Sequence, residues 1–196
     1  MHQASSHANV PSNLIRMTAF AFALVGFLGT IPGAEPSAPS APLRFGGENV
    51  EWHGFERYDF LMDEQTLAIS HLKAPASEGS GIKDPEKGTR RCIVVVPKVA
   101  AQGNPWSWRG CYWDHQPQTE IELLKRGFHV AYISANATLK PGKEWDAWYA
   151  FLTEQYGFSK KPAFIGMSRG GEYSYTWASA HPEQVSSIYV DNPGMN

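Results

Sequence analysis

The stretch from Lys161 to His181, KPAFIGMSRGGEYSYTWASAH, constrains this chain more than any other. It opens on a short apolar run, Ala163-Phe164-Ile165, which is strand-like by residue type. Gly166-Met167-Ser168-Arg169-Gly170 follows, and then a run with helical spacing that stops at His181-Pro182, where proline disfavours further helix. Strand, Gly-x-Ser-x-Gly and helix in that order form a nucleophile elbow. The spacing has a chemical reason. A serine hydroxyl is a poor nucleophile unless it is exposed, aimed and deprotonated by a base. A sharp turn between strand and helix pushes Ser168 out at the top of a sheet. Gly166 and Gly170 leave space for that turn, because a Cβ at either position would meet neighbouring backbone. The start of the next helix offers free N–H groups and a positive dipole end to a developing oxyanion, with the Arg169 amide as the expected donor. The bland alternative is a glycine-rich turn that merely exposes a serine. Gly-x-Ser-x-Gly alone is weak, arising by chance on the order of 0.1 times in a chain of this kind. The flanking strand and helix strengthen it.

The rest of the chain reads as strands and helices in alternation. Phe55 to Leu72 predicts one or two strands, with Tyr58, Phe60 and Met62 alternating against Asp59 and Asp63. Cys92 to Val96, CIVVV, predicts a buried strand, and Trp106 to Trp113 a third. Gln118 to Arg126 predicts a helix closed by Gly127, and Phe128 to Ile133 a fourth strand. Glu144 to Tyr156 predicts an aromatic amphipathic helix ending at Gly157. The elbow strand follows, and Val185 to Val190 is a sixth. Alternation from residue 106 onward predicts a mainly parallel sheet with crossover helices. A length of 196 residues suits one domain with a sizeable core. The formal net charge of -2, without a basic run, gives no nucleic-acid footprint. Seven tryptophans would suit a sugar-binding surface, but packing in core and cleft is their commoner use.

Several blocks are distinctive: HGFERYDF (53–60), PWSWRGCYWDHQPQTEIELLKRGFHVAYI (105–133), WDAWYAFL (145–152), KKPAFIGMSRGG (160–171) and IYVDNP (188–193). Through them the chain resembles a secreted bacterial α/β-hydrolase family over most of its length from about Gly54 onward. The resemblance implies the α/β-hydrolase fold and a serine esterase-like activity, the hydrolysis of an ester or related acyl bond.

The N-terminal part reads as a processing segment. Met17 to Ile31 is apolar, short for a membrane span and suited to a signal-peptide core. We expect residues 1–34 to be a signal peptide, 35–50 a disordered Pro/Ser/Ala linker, and 51–196 the hydrolase domain, secreted or periplasmic and without membrane association after cleavage. Asn136-Ala137-Thr138 fits a glycosylation acceptor that only a eukaryotic secretory host would use. Lys73 to Thr89 reads as a polar surface loop. The two cysteines, Cys92 and Cys111, would face each other in a simple hairpin. In the α/β-hydrolase strand order they lie two strand spacings apart, roughly 9.5 Å, beyond the reach of a disulfide.

The fold places further expectations on particular residues. A second oxyanion donor comes from the loop after the third strand, here the amide of Trp113 or Asp114. His115 lies in that loop, more as a stabilising hydrogen-bonder than as a catalyst, and Arg109 is placed to pair with an acid beneath it or to be solvated. The triad order is Ser, acid, His. Asp191 ends the sixth strand and is the possible acid, with capping or loop stabilisation as its commoner role. The one histidine after Ser168 is His181, about 20 Å along the helix. The chain therefore reads as the N-terminal two-thirds of a hydrolase, strands one to six, with the triad histidine outside it. No cofactor or metal is expected, since no histidine pair has ligand spacing. The leading reading is an esterase acting on a small-molecule or carbohydrate ester. A prolyl-oligopeptidase-like peptidase is the enzymatic alternative, and a non-catalytic remnant or binding module the other. Oligomeric state is left open.

Overall fold

A computed structural model describes residues 43–73, 87–135 and 140–194. The expected signal peptide, the linker up to residue 42, most of the 73–89 loop and the Asn136 acceptor lie outside these residues. Eight strands form one sheet: β1 (Asn49–Trp52), β2 (Phe55–Asp63), β3 (Ile69–Leu72), β4 (Thr89–Val96), β5 (Trp106–Gly110), β6 (His129–Ile133), β7 (Ala163–Met167) and β8 (Ser187–Asp191). Among the described residues three α-helices flank it: α1 (Gln118–Lys125), α2 (Lys143–Ala150) and α3 (Arg169–Ala180). The order across the sheet is β1-β2-β4-β6-β5-β7-β8, with β3 on β2. Pairing is antiparallel from β1 to β6 and parallel from β6 through β5 and β7 to β8. The sheet is thus mixed, and its parallel half begins at residue 106, where the helical crossovers begin.

Alternate residues of β4 divide two cores, as the period of two requires. Cys92, Val94 and Val96 join Trp106, Trp108, Trp145, Trp148, Tyr173 and Trp177 on the face covered by α2 and α3. Ile93 and Val95 join Trp52, Phe55, Trp113, Leu124 and Tyr132 on the face covered by α1. On the first face the Trp108 ring stacks on Trp145 at 4.6 Å and Phe164 at 5.3 Å, and Trp145 stacks on Tyr173 at 5.2 Å. Buried aromatics of this size remove roughly 150–250 Å² each from water, worth several kcal/mol apiece at ~25 cal/mol per Å². The tryptophans of this cluster are packing residues, fully buried.

Some boundaries differ from expectation, each for a physical reason. The packed domain includes residues before 51: Phe45 is buried against Tyr58, Phe60 and Tyr156, and β1 pairs with β2 from Asn49. The third predicted strand stops at Gly110, because Cys111 and Tyr112 turn into left-handed backbone. The helix from residue 143 is α-helical to Ala150 and widens to a π-helical turn over Phe151–Gln155. Cys92 and Cys111 are not joined in a disulfide. Strand β6 separates β4 from β5, as the strand order demands. Among the described residues no helix is long and apolar enough to cross a membrane.

Candidate active site

Ser168 stands alone between β7 and α3, with φ 48° and ψ −118°. Few L-residues adopt such a conformation; it costs on the order of 1–3 kcal/mol and persists only where the surroundings impose it. Here they do. The Ser168 N–H donates to the Asp191 carbonyl at 3.0 Å, and the Ser168 carbonyl accepts the N–H groups of Gly171 at 3.0 Å and Gly194 at 3.1 Å. Behind the turn three glycines meet. A Cβ on Gly166 would lie 2.6 Å from the Gly170 carbonyl, and a Cβ on Gly170 would lie 2.1 Å from the Gly110 carbonyl oxygen. Gly110 and Gly166 are paired across β5 and β7. No side chain fits between the strands and the first turn of α3, so the turn is closed tightly and Ser168 is left half-buried at its apex. Arg169 is the first residue of α3. Its amide is one of the four at a helix start that have no intrahelical acceptor.

The loop after β5 is strained as well. Cys111 (φ 53°), Tyr112 (φ 47°), Asp114 (φ 59°) and Gln116 (φ 50°) are all left-handed, a conformation costing L-residues roughly 1 kcal/mol or more each. Arg109 compensates. Its buried guanidinium donates to the carbonyls of Cys111 (3.3 Å), Tyr112 (3.2 Å) and His115 (2.7 Å), and it forms an ion pair with the buried carboxylate of Glu120 on α1. Charge-assisted bonds of this kind are about twice as strong as neutral ones. The arginine thus pairs with an acid, and that acid is Glu120. Farther along, the Trp113 ring is buried against Trp52 (5.0 Å) and Tyr132 (5.3 Å), and Asp114 Oδ1 lies 3.0 Å from His53 Nε2. The His115 N–H donates to the Tyr112 carbonyl at 3.2 Å.

The other titratable candidates disperse. Asp191 pairs with Met167 across β7 and β8, one strand from the elbow, and is exposed. His181 sits at the far end of α3, stacked on Trp177 at 4.3 Å with its Nε2 3.3 Å from Asp146 Oδ1. The twelve residues of α3 lie between it and Ser168, so the two are about 20 Å apart at ~1.5 Å per residue. His129 is buried at the start of β6 against Phe158 (4.5 Å), and burial pushes it down to about 4. His71 lies on β3 against Phe60. His115 is exposed in the β5 loop. Among the described residues no group of three or more His, Cys, Asp or Glu is arranged to hold a metal ion.

No family model matches the sequence, and no characterised protein matches it by sequence. Solved structures do match in shape. A cold-adapted esterase from an Arctic intertidal metagenomic library aligns with a TM-score of 0.50 at 10% identity, over 76% of this chain and 63% of the esterase. The chain has an α/β-hydrolase fold. It spans just under two thirds of that esterase's length. Acetyl xylan esterase from Aspergillus awamori aligns at 20% identity, over 52% of this chain and 46% of the enzyme, with a TM-score of 0.40. Candida antarctica lipase A aligns at 12% identity, over 74% of this chain and 41% of the lipase, with a TM-score of 0.44.

Within this α/β-hydrolase fold two residues stand out that the sequence did not single out. Gly110 is the third glycine of the elbow contact, and Glu120 is the partner of Arg109. The signal for Gly110 was present as a glycine ending a strand two residues after a tryptophan, but its register with Gly166 is a property of the sheet. The signal for Glu120 was an acid on the inner face of an amphipathic helix, where an unpaired carboxylate would be costly.

Proposed function

We propose that this chain is a serine hydrolase that cleaves esters by acyl transfer to Ser168. The observation that carries the reading is the Ser168 backbone at φ 48° and ψ −118°, closed from behind by Gly110, Gly166 and Gly170. Such strain gathers at functional sites, and a merely exposed serine does not require it. In the reaction the Ser168 Oγ attacks the ester carbonyl while a general base takes its proton. The carbonyl oxygen becomes an oxyanion held by the Arg169 amide and by an amide of the loop after β5. Collapse breaks the C–O bond, the leaving alcohol takes the proton from the base, and water then hydrolyses the acyl-serine by the same route. Asp191 is the candidate acid. We take the base to come from outside the described residues or from His115, since His181, His129 and His71 are held elsewhere and the His53 Nε2 is engaged by Asp114 Oδ1. The name of the cold-adapted esterase supports an ester substrate, and a small-molecule or carbohydrate ester suits the reading. We further propose export, with residues 1–34 removed as a signal peptide. Mature protein recovered outside the cytoplasm and starting between about residues 30 and 42 would support this; an intact N-terminus in the cytosol would refute it.

The test of the enzyme is covalent. A fluorophosphonate probe should modify Ser168, located by peptide mass spectrometry, and Ser168→Ala should abolish the modification. Equal labelling of the two proteins, or labelling at another serine alone, overturns the reading. One observation favours a non-catalytic module instead: no histidine of the described residues is fixed beside Ser168. An elbow without its base would still hold oxyanion donors, which sustain about 10³-fold catalysis over water in a broken triad. Slow turnover of an activated ester that depends on Ser168 separates a hydrolase from a module that only binds.

A further inference from the structure

One side chain sets the geometry of the loop that faces the elbow. Strand β5 sends Trp108 and Gly110 to the face of α2 and α3, where Trp108 meets Trp145 and Trp177 and Gly110 meets Gly170. Arg109, between them, points to the opposite face and pairs with Glu120 of α1. From there its guanidinium holds the Cys111 and Tyr112 carbonyls at 3.3 and 3.2 Å. A trans peptide is planar, and its N–H points opposite to its C=O. The peptide that presents the Cys111 carbonyl carries the Tyr112 N–H, and the peptide that presents the Tyr112 carbonyl carries the Trp113 N–H. Both N–H groups are therefore turned away from the guanidinium, as is the Gln116 N–H, whose peptide presents the His115 carbonyl to Arg109 at 2.7 Å. The Asp114 N–H belongs to the Trp113 carbonyl, to which Arg109 makes no hydrogen bond.

We infer that the Arg109–Glu120 pair is a positioning device for the second oxyanion donor, which is the amide of a peptide that the guanidinium holds, that of Tyr112, Trp113 or Gln116, and not that of Asp114. The inference rests on Ser168 being the nucleophile. Without the guanidinium the Cys111 and Tyr112 carbonyls lose its inward pull, although the Tyr112 carbonyl keeps the His115 N–H, and the left-handed residues Cys111 and Tyr112 relax toward ordinary backbone, which swings both amides away. Glu120 acts one step further out. It holds the guanidinium at the depth from which all three carbonyls are reached, and it neutralises a charge that burial would otherwise penalise. Lysine in place of Arg109 keeps the charge but presents one compact ammonium that cannot serve the carboxylate and three carbonyls together.

The test uses the whole chain, with Arg109→Lys and Glu120→Gln as variants, each studied at a temperature where circular dichroism shows it folded. The rate of Ser168 modification by a fluorophosphonate is measured against probe concentration. We expect the limiting rate to fall at least tenfold in Arg109→Lys and by a smaller factor in Glu120→Gln, with little change in the half-saturating probe concentration; loss of a single oxyanion donor typically lowers such rates by about 10²–10³. A purely structural role would lower the melting temperature and leave the limiting rate of the folded variant unchanged, and that result overturns the inference. If Arg109→Lys does not fold, Glu120→Gln carries the same test. If wild-type Ser168 reacts no faster than the background in Ser168→Ala, the enzyme reading fails instead. The positioning of the loop is then judged by hydrogen exchange: at least tenfold faster exchange over 111–117 in Arg109→Lys, with 163–180 unchanged, supports it, and unchanged exchange over 111–117 overturns it.

Discussion

Gly110 of β5 and Gly170 of α3 meet backbone to backbone: a Cβ placed on Gly170 would lie 2.1 Å from the Gly110 carbonyl oxygen and 2.8 Å from its carbon. Neither partner is a flexible side chain that could move aside, so a methyl group there must displace a strand or a helix. Gly170→Ala should therefore destabilise the fold by about 3 kcal/mol or more, at the upper end of overpacking costs. Gly54→Ala is the comparison, since a Cβ at that position meets nothing within 4 Å and suffers only the left-handed φ of 83°; it should cost about 1 kcal/mol. Urea unfolding of the two variants measures both, and equal costs would show that space behind the elbow is not limiting.

His129 makes the stability of the fold depend on pH. Desolvation by burial lowers it from 6.5 to about 4, against a smaller opposing effect of the Pro105 carbonyl. The folded pKa is depressed, so the folded chain resists a proton that the unfolded chain accepts. The stabilisation is present above about pH 6.5 and is lost as pH falls from there toward about 4. Between about pH 7 and pH 5 the loss should be about 2 kcal/mol. His129→Phe should remove that slope, and the difference between wild type and variant in urea unfolding at the two pH values isolates it from the carboxylates. A slope unchanged in the variant would place the titration elsewhere.

Cys92 is fully buried, and burial raises its thiol well above its ordinary range. The thiolate is the reactive form, so Cys92 should resist alkylation in native protein at about pH 8 and react within minutes once guanidinium unfolds the chain. Mild oxidation should also leave the native mass free of an internal disulfide, because β6 stands between the two cysteines. Rapid native labelling of Cys92 would mean that β4 opens locally.

Two histidines can be separated by their effect on Ser168. His181 is committed to Trp177 and Asp146 at the far end of α3, so His181→Gln should change fluorophosphonate labelling of Ser168 less than twofold, while losing part of the helix-end packing. His115→Gln tests the alternative. A drop of about 10²-fold or more in labelling would identify His115 as the base, the range expected for loss of general-base catalysis; an unchanged rate would assign the base to residues beyond those described.

The order of events along the chain was legible without coordinates, because it rests on local physics. The apolar run before Gly166, the glycines around Ser168 and the proline after His181 specify strand, turn and helix from short-range sterics, and the structure has β7, Ser168 and α3 at those positions. The separation of Cys92 from Cys111 also followed once the strand order was assumed. What only the tertiary structure decided are pairings between distant residues. That Arg109 would find Glu120, that Phe45 would be buried beneath Tyr156 and carry the packed domain below residue 51, and that Gly110 would face Gly170 depend on strand register and helix placement. The left-handed backbone at Cys111, Tyr112, Asp114 and Gln116 is the clearest case. Cysteine and tyrosine do not ask for a positive φ, and the predicted third strand runs through Cys111 and Tyr112 to Trp113, whereas Asp114 is of a type that tolerates one. A buried guanidinium, itself anchored by a helix packed on the other face of the sheet, supplies hydrogen bonds that outweigh the local preference; Arg109 and Glu120 are near in sequence, but their burial and facing are set by packing of β5 and α1.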